Sequence, residues 1–312
     1  MEEQVYAVAD IGGTKILLML VSPDRDVILR RILPTPSEAT PELVAGVLQE
    51  ALFHALQDEG RDYRSLAGLG VCIAALVDFE EGVIHESPNL DWHEPVYFRK
   101  MLQDYCRCPV LLENDANAAV LGEVKYGAAR GHRHAAYITI STGIGAGLYL
   151  NGDIYRGSGG FAGEIGHVKR FGKGRRCGCG GYGCLEAWAS GLGIARSAIS
   201  LWGESDPLKG PLNSAAVFSL AAAGNTLAAS IIENAVDDIG TALANLVTLL
   251  NPSCLVIGGG VARNQPALIG MLQKKIEEIA VPPAVKITRV KVEAARLEPD
   301  AGVWGMFAMM CR

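Results

Sequence analysis

The sequence predicts an α/β protein built from two similar halves, because one strand–turn–strand pattern occurs twice. The first copy is an apolar strand at residues 5–10, a glycine turn, and a second apolar strand at 16–21. The second copy, about 130 residues later, has apolar strands at 137–141 and 148–150 on either side of another glycine-rich turn. One such hairpin is unremarkable, but two favour a duplicated architecture with one hairpin in each half.

Helical patterns complete both halves. Thr40 and Pro41 predict a helix start, with Thr40 as the N-cap and Pro41 at the first helical position. Further helices are predicted at 115–126, 191–203, 214–224 and 225–250, and the last strand near 285–292.

These elements divide the chain into two domains. We place the boundary near residue 115, with an N-terminal α/β domain at 1–115 and a C-terminal α/β domain at 116–299. A C-terminal helix at 300–312 is expected to pack back on the first domain.

Composition and charge favour a soluble intracellular protein. About half of the 312 residues (49%) are hydrophobic, which is enough for a substantial core, and the net charge of −6 does not favour nucleic acid or an anionic membrane as a partner. The chain begins without the basic, apolar and small-residue pattern of a signal peptide, and its apolar runs are shorter than the roughly 18 residues of a membrane span. We therefore expect a cytoplasmic protein.

The first glycine turn has two interpretations. Asp10 ends the first strand, and Gly12, Gly13, Thr14 and Lys15 follow. A plain β-hairpin with a Gly-Gly turn is the simpler interpretation, and the segment is not a Walker loop. Alternatively, glycine N–H groups, a hydroxyl and an ammonium suit a phosphate, and a carboxylate just before them suits Mg²⁺.

Two later glycine segments carry weaker signals. The turn at 142–147, which begins Thr142-Gly143, has glycines at alternate positions; a glycine-eased bend and an open face for a ligand are equally compatible with it. Its pairing with the first turn favours phosphate binding. Gly259 and Gly260 follow a buried strand at 254–257 and would admit a nucleoside or phosphate at a helix N-terminus.

Asp115 stands where a strand meets a helix, in the sequence Glu113-Asn114-Asp115. Capping of the helix by Asn114 or Asp115 is the commoner use of such residues. The alternative is that Asp115 accepts the proton of a hydroxyl that attacks a phosphoryl group, a reaction that needs positioning, a base and charge neutralisation.

The most specific signal is a cluster of metal-binding residue types. His167 precedes Cys177, Cys179 and Cys184, and three cysteines within eight residues of a polar loop are hard to explain by packing. A Cys₃His set fills all four positions of a zinc ion, which predicts a structural rather than a catalytic zinc. Glu164 and Glu186 flank this loop; they are either surface charges or acceptors for sugar hydroxyls.

Together these motifs resemble the ROK family of bacterial sugar kinases, and its zinc-containing glucokinases in particular. The resemblance covers about residues 5–305, and the zinc motif is its most specific part. The matching stretches are D-I-G-G-T-K at 10–15, E-N-D-A-N-A-A at 113–119, S-T-G-I-G-A-G at 141–147, E-I-G-H at 164–167, C-G-C-G-G-Y-G-C-L-E at 177–186 and I-G-G-G-V at 257–261.

The resemblance implies an actin-like ATPase fold, which is ribonuclease H-like, with two α/β domains and an interdomain cleft. It implies ATP, Mg²⁺ and a structural Zn²⁺ as cofactors, a hexose as the other substrate, and a homodimer or homotetramer. Asp115 would be the base. The implied sugar contacts are Asn89, Asn114, Asp115, Glu164, His167 and Glu186, and the implied ATP contacts are Asp10, Gly12, Gly13, Thr14, Lys15, Thr142, Gly143, Gly259 and Gly260.

The expected activity is ATP-dependent phosphorylation of D-glucose to glucose 6-phosphate. Ala74-Ala75 stands where many relatives have Pro-Gly, so the identity of the sugar is less firmly implied than the reaction. A kinase for N-acetylmannosamine, N-acetylglucosamine or another hexose is the nearest alternative. A sugar-sensing regulator without a DNA-binding domain is a second, since Asp10 follows only nine residues and leaves no room for a helix-turn-helix. A sugar-binding protein without turnover is a third, against which Asp115 argues.

Overall fold

The computed structural model describes residues 4–170, 174–202 and 213–311. The chain forms two compact units. The first contains Met1–Gly127, Ile154–Ala162 and Asp300–Arg312, and the second contains Ala128–Asp153 and Gly163–Pro299.

Strands and helices are interspersed along the described residues. The strands are β1 Val5–Ile11, β2 Lys15–Val21, β3 Val27–Pro34, β4 Leu66–Ile73, β5 Leu76–Asp78, β6 Val83–Glu86, β7 Val110–Asn114, β8 Ala135–Ile140, β9 Ile144–Leu150, β10 Asp153–Ile154, β11 Cys254–Gly258 and β12 Lys291–Ala294. The α-helices are α1 Pro41–Asp58, α2 Phe98–Cys106, α3 Asp115–Tyr126, α4 Glu186–Ala189, α5 Gly191–Trp202, α6 Ser214–Ala222, α7 Thr226–Leu250, α8 Gly260–Asn264, α9 Ala267–Ile279 and α10 Ala301–Met310.

The first unit is a five-stranded sheet in the order β3-β2-β1-β4-β7. The β1–β2 and β2–β3 pairs are antiparallel, whereas β4 and β7 add in parallel beside β1. Because alternate side chains of a strand face opposite sides, Ala7 and Ala9 of β1 join the core beneath α1 and α2. Tyr6 faces the other side, where it meets Phe307 of α10.

The second unit repeats this arrangement in the order β10-β9-β8-β11-β12. The β8–β9 pair is an antiparallel hairpin, and β11 and β12 add in parallel beside β8. The long helix α7 packs on α9, with α5 and α6 next to it. Two sheets with the same hairpin and the same parallel additions confirm the predicted duplication and the actin-like fold class.

The division between the units falls after Gly127, not near residue 115. The physical reason is that α3 packs closely on α10 and therefore belongs to the first unit. The predicted last strand near 285–292 is also wrong over most of its length: Ala284–Thr288 forms a single π-helical turn, and β12 begins only at Lys291.

Other local predictions are confirmed. The side chain of Thr40 caps α1 by accepting a hydrogen bond from Leu43 N at 3.3 Å, with Pro41 in the first turn. The predicted helix at 191–203 is α5, although Gly203 lies outside the described residues, as does Arg312 at the end of the predicted C-terminal helix.

Among the described residues, no single helix is long and apolar enough to cross a membrane. Helices α6 and α7 pass that test only as a pair, and a bend of 119° separates them.

The contact between α3 and α10 depends on two glycines. A Cβ atom on Gly122 would lie 2.5 Å from the carbonyl oxygen of Ala301, and one on Gly305 would collide with the backbone of Ala118. The absence of side chains at these positions lets the two helix backbones approach closely, and α10 then covers one face of β1 and β4.

We predict that Gly305→Ala lowers the free energy of unfolding by about 2 kcal/mol or more, because the backbones must separate to admit the methyl group. Urea unfolding followed by circular dichroism measures the change. The control is Gly46→Ala in α1, where nothing lies within 4 Å of the added carbon, and helix propensity should raise stability by up to about 1 kcal/mol. Equal effects of the two substitutions would contradict this account of the helix contact.

Candidate functional site

Acidic side chains gather at the carboxyl edge of the first sheet. In the register of the three parallel strands, Asp10 of β1 pairs with Cys72 of β4, and Cys72 pairs with Glu113 of β7. Asp115 follows two residues after Glu113, at the start of α3. The parallel arrangement therefore brings Asp10 and Asp115, which are distant in sequence, to one edge of the sheet.

Asn114 is the cap of α3. Its Oδ1 accepts hydrogen bonds from Ala116 N at 2.9 Å and Asn117 N at 3.1 Å, and its Nδ2 donates to the Ala75 carbonyl at 3.1 Å. Asp115 Oδ1 accepts a hydrogen bond from Ala116 N at 2.9 Å, and the backbone N–H of Asp115 itself is a second donor to this carboxylate. Among the described residues no other side chain hydrogen-bonds to the Asp115 carboxylate, and Asn114 alone accepts the cap bond from Asn117 N.

The two aspartates have a raised pKa. Burial raises the pKa of Asp115, and two backbone N–H groups oppose this shift. Burial, followed by the negative charge of Asp115, raises the pKa of Asp10 from 3.8 to about 7, although Cys72 and Lys15 act in the opposite direction. A positive ion beside Asp10 would therefore stabilise its charged form.

Glu113 has a different environment. Its side chain is 1% exposed and accepts hydrogen bonds from Arg156, with Nε and Nη2 each 2.7 Å from Oε2. Its Oε1 accepts from Asn114 N at 2.9 Å and Asn117 Nδ2 at 3.1 Å. The guanidinium of Arg156 also lies 3.9 Å from the centre of the Phe79 ring. Glu113 is thus an anchor of the strand end, and its partner Arg156 is not identifiable from the sequence.

The first glycine turn is tied to its neighbours and open to solvent. Gly12 N donates to Lys15 O at 3.0 Å, and Thr35 Oγ1 donates to Gly12 O at 2.7 Å. Gly13, Thr14 and Lys15 are exposed. A Cβ on Gly13 would lie 2.7 Å from the carbonyl oxygen of Asn89, so the exposed Asn89 loop packs directly against this turn.

The backbone carbonyl groups of Ala74 and Ala75 accept hydrogen bonds from two neighbouring parts of the first unit. The Ala74 carbonyl accepts a hydrogen bond from Ser87 Oγ at 3.1 Å, and the Ala75 carbonyl accepts the one from Asn114. The two alanines thus hold the loop that carries Asn89 and the end of β7.

In the second unit, the turn between β8 and β9 is held by α5 and by Glu186. Gly191 N donates to Ser141 O at 2.8 Å, and Ile144 N donates to Glu186 Oε2 at 3.0 Å. A Cβ on Gly143 would collide with the same carboxylate. Position 143 must therefore be glycine as long as the Glu186 carboxylate occupies this place.

A cavity of about 350 Å³ opens next to this turn. It is lined by Ser141, Thr142, Gly191, Leu192, Ala195, Asn213, Ser214, Ala215, Phe218, Gly260, Val261, Asn264 and Gln265. Thr142 and Gly260 were predicted from glycine motifs, but the wall supplied by α5 and α6 was missed because no motif marks it. Gly259 has φ 90° beside the backbone of Ile140, and its N–H donates to Glu298, so it serves the chain path and does not line the cavity.

The four predicted metal ligands come together. One ligand atom from each of His167, Cys177, Cys179 and Cys184 lies within 4.8 Å of the others. The Sγ atoms of Cys179 and Cys184 are 3.7 Å apart, and Cys177 Sγ is 3.7 Å from His167 Nδ1. Two thiolates bound to one tetrahedral zinc at about 2.3 Å lie about 3.8 Å apart, so the donor set fits zinc.

Residues beside the cluster complete its surroundings. His167 Nε2 lies 3.7 Å from Glu164 Oε2, whereas the ring nitrogen near Cys177 is Nδ1. Lys169 Nζ donates to Cys184 Sγ at 2.9 Å. Three thiolates and one Zn²⁺ carry a net negative charge, which the ammonium of Lys169 would offset.

Comparison with known proteins identifies the family. The family model described as the ROK family matches residues 6–312. The chain belongs to the ROK family. Among curated ROK relatives, a glucokinase from Halalkalibacterium halodurans is 32% identical over 314 residues, which cover 98% of this chain and 94% of that protein.

Two solved structures extend the comparison. A ROK glucokinase from Streptomyces griseus, in complex with glucose and AMPPNP, is 30% identical, with a TM-score of 0.79 and 97% of each chain covered. A Listeria monocytogenes protein, described as a candidate N-acetylmannosamine kinase, is 25% identical with a TM-score of 0.82, covering 99% of this chain and 98% of that one.

The residues assigned from the ROK resemblance therefore fall into two groups. In the first unit, Asp10, Asn114 and Asp115 share one sheet edge, and the Asn89 loop packs on the glycine turn. In the second unit, Glu186 contacts the Thr142-Gly143 turn, and His167 lies with the cysteines.

The raised pKa of Asp10 predicts a pH-dependent stability. The folded protein binds this proton more tightly than the unfolded chain, whose value is near 3.8, so the protonated form contributes stability that is lost as the pH rises from about 4 through about 7. Asp10→Asn should therefore raise the melting temperature at pH 8, with a gain that shrinks toward pH 4, in buffer without magnesium or nucleotide.

Thermal melts across this pH range test the prediction. The exposed Asp24→Asn substitution is the control, and it should leave the profile unchanged. Parallel profiles for native protein and Asp10→Asn would show that Asp10 is not the group responsible.

Proposed function

We propose that this ROK chain is an ATP-dependent hexokinase that converts D-glucose to glucose 6-phosphate, with Asp115 as the general base. The observation that carries the proposal is the division of roles at the start of α3: Asn114 caps the helix, and the buried Asp115 carboxylate has no side-chain hydrogen-bond partner among the described residues. Similarity to glucokinases, including one solved with glucose and AMPPNP, supports the choice of substrates.

In the proposed reaction, Asp115 accepts the proton of the glucose 6-hydroxyl as its oxygen attacks the γ-phosphorus of ATP. The bond to the β-γ bridging oxygen breaks, and ADP leaves. A positioned base contributes roughly 10² to 10⁴ in rate, and the remainder comes from orientation and from neutralising the phosphoryl charge. A carboxylate with a raised pKa is a better proton acceptor than an ordinary aspartate at the pH where it is still ionised.

The proposed nucleotide contacts are assigned separately in each unit. The cavity in the second unit has a size and a lining suited to an adenosine, with Phe218 and Leu192 as apolar walls and Asn213 as a polar group. The proposed phosphate contacts are Thr142 and Gly143 in that unit and Gly12, Gly13, Thr14 and Lys15 in the first. Asp10 is proposed to hold Mg²⁺, which would compensate the charge that burial and Asp115 make unfavourable.

The proposed sugar contacts are likewise assigned residue by residue. Asn114 retains one amide hydrogen beyond the one donated to Ala75, and exposed Asn89 lies in the loop beside the first glycine turn. Glu164, His167 and Glu186 are the proposed contacts of the second unit. Zinc at the Cys₃His cluster would have all four positions filled, so it supplies rigidity to this loop and no reaction chemistry.

The nearest alternative is phosphorylation of an N-acetylated hexose, which the similarity to the Listeria protein favours. The two substrate classes differ at C2 of the sugar. A regulator that binds sugar without phosphorylating it is the alternative of another class. The cytoplasmic location and the homodimeric or homotetrameric assembly implied by the family remain part of the main proposal.

A coupled assay of ADP release over a panel of sugars tests the reaction. D-Glucose should give the highest kcat/KM, and N-acetylglucosamine and N-acetylmannosamine should each be at least tenfold poorer. A preference for an N-acetylated sugar would replace glucose by that alternative. Sugar binding by calorimetry with no turnover of any hexose would favour the regulator.

We predict that Asp115→Asn lowers kcat at least a hundredfold, because the amide keeps the shape of the side chain but cannot accept the proton. Glucose affinity, measured by calorimetry, should change much less. The control is Asp104→Asn, which alters an exposed aspartate of α2 in the same unit and should leave kcat unchanged. A near-normal kcat for Asp115→Asn would remove this residue from the mechanism.

A further inference from the structure

We infer that the loop of metal ligands also positions the nucleotide cavity, with Glu186 and Arg175 as the positioning residues, so that loss of zinc weakens nucleotide binding even when no sugar is present. The term cysteine loop here means residues 174–185. The inference rests on the proposed function in two respects, namely that the Cys₃His cluster binds zinc and that the cavity beside Thr142 binds the nucleotide.

The first connection is the carboxylate of Glu186. Its Oε2 accepts the hydrogen bond from Ile144 N at 3.0 Å, in the turn that begins at Thr142. Its Oε1 lies 3.7 Å from Cys177 Sγ, a predicted zinc ligand. One side chain thus contacts both the metal cluster and the backbone of the turn, and Gly143 leaves just enough room for it.

The second connection is the guanidinium of Arg175, which comes from the cysteine loop itself. Its Nη1 donates to the carbonyl of Ala187 at 3.0 Å, the carbonyl of Gly193 at 3.1 Å and Ser197 Oγ at 3.3 Å. The same group lies 4.3 Å from the centre of the Trp188 ring. Arg175 therefore holds the loop against both α4 and α5.

The third connection joins α5 to the cavity. Gly191 N donates to Ser141 O at 2.8 Å, and Leu192 N donates to Thr142 O at 3.4 Å. Gly191, Leu192 and Ala195 of α5 line the cavity directly. The chain runs from the ligand Cys184 through α4 into this wall, so a displacement of the cysteine loop is transmitted to the cavity by covalent linkage as well as by hydrogen bonds.

Zinc would fix the cysteine loop in one conformation. The loop would in turn hold the residues that line the cavity in one arrangement. Without the ion, nucleotide binding must itself order the loop, α4 and the turn, which costs conformational entropy. Couplings of this kind typically change affinity by about 5- to 150-fold. The sugar contacts proposed on the same loop would also weaken, but the distinguishing effect is on nucleotide binding alone.

The first experiment measures binding of AMPPNP with Mg²⁺ by calorimetry, in the absence of sugar. Cys179→Ser removes one zinc ligand. The Kd of this variant for AMPPNP should be at least about fivefold higher than that of the native, zinc-loaded protein. Cys311→Ser, which alters the other exposed cysteine, is the matched control and should keep the native Kd. Zinc content by metal analysis verifies that only the first variant loses the ion.

The second experiment leaves all four ligands in place. Arg175→Ala should retain one zinc per chain yet raise the Kd for AMPPNP severalfold, because α5 loses its tie to the loop. The neighbouring exposed Arg176→Ala is the control and should bind AMPPNP normally. A melting temperature measured for each variant separates this effect from general unfolding at the assay temperature.

The outcomes separate this inference from the proposed reaction. An unchanged Kd for AMPPNP in zinc-free Cys179→Ser or in zinc-loaded Arg175→Ala overturns the inference and leaves the kinase proposal intact. Weakened AMPPNP binding in both variants, with no hexose turnover by native protein, supports the inference and refutes the reaction. A native protein that binds no AMPPNP refutes both.

Discussion

The first turn of α3 imposes the constraint on which the proposed chemistry depends. Its backbone N–H groups have no carbonyl partners within the helix and need acceptors from outside. Asn114 supplies that acceptor with its side-chain oxygen and fixes its own orientation through Ala75. Asp115 is thereby positioned by the helix but does not serve as its N-cap. If the aspartate also accepted the cap bond from Asn117 N, a further N–H donor would stabilise its charged form and lower its pKa, which would make it a weaker base.

The two units use one topology for different purposes. In the first, the parallel strands bring Asp10 and Asp115 to one edge and leave the glycine turn exposed. In the second, the corresponding hairpin has no acidic residue at the strand end; its turn is instead enclosed by Glu186 and α5, next to a cavity. Duplication of a fold therefore preserves the backbone while the side chains at the turn determine what each copy contacts.

Local signals in the sequence predicted much of this arrangement. The two strand–glycine turn–strand patterns indicated the duplicated fold. The spacing of the cysteines predicted a set of metal ligands, and the structure brings these side chains together. Both depend on residues close in sequence. The pairing of Glu113 with Arg156 and the contacts of Arg175 with α5 depend on residues far apart in the chain or on loop conformation, and neither leaves a periodic pattern.

The incorrect strand near 285–292 shows the same limit. Val285, Ile287 and Thr288 are β-branched and favour a strand by propensity. Ile287, however, is 79% exposed, and no strand among the described residues pairs with the helical turn that follows Pro283. Propensity measures fit to a half-buried sheet, and that surface is not available to this segment until Lys291, where pairing with β11 begins.

The position of α10 in the first unit has a consequence for biosynthesis. The helix covers one face of β1 and β4 and packs on α3, although the entire second unit precedes it in the chain. A nascent chain on the ribosome has β1 available from the outset, but that face of its sheet stays uncovered until residues 301–310 have left the exit tunnel. The second unit has its own complete set of strands before then. The unit that begins the chain therefore lacks one of its own helices until the second unit has been synthesised.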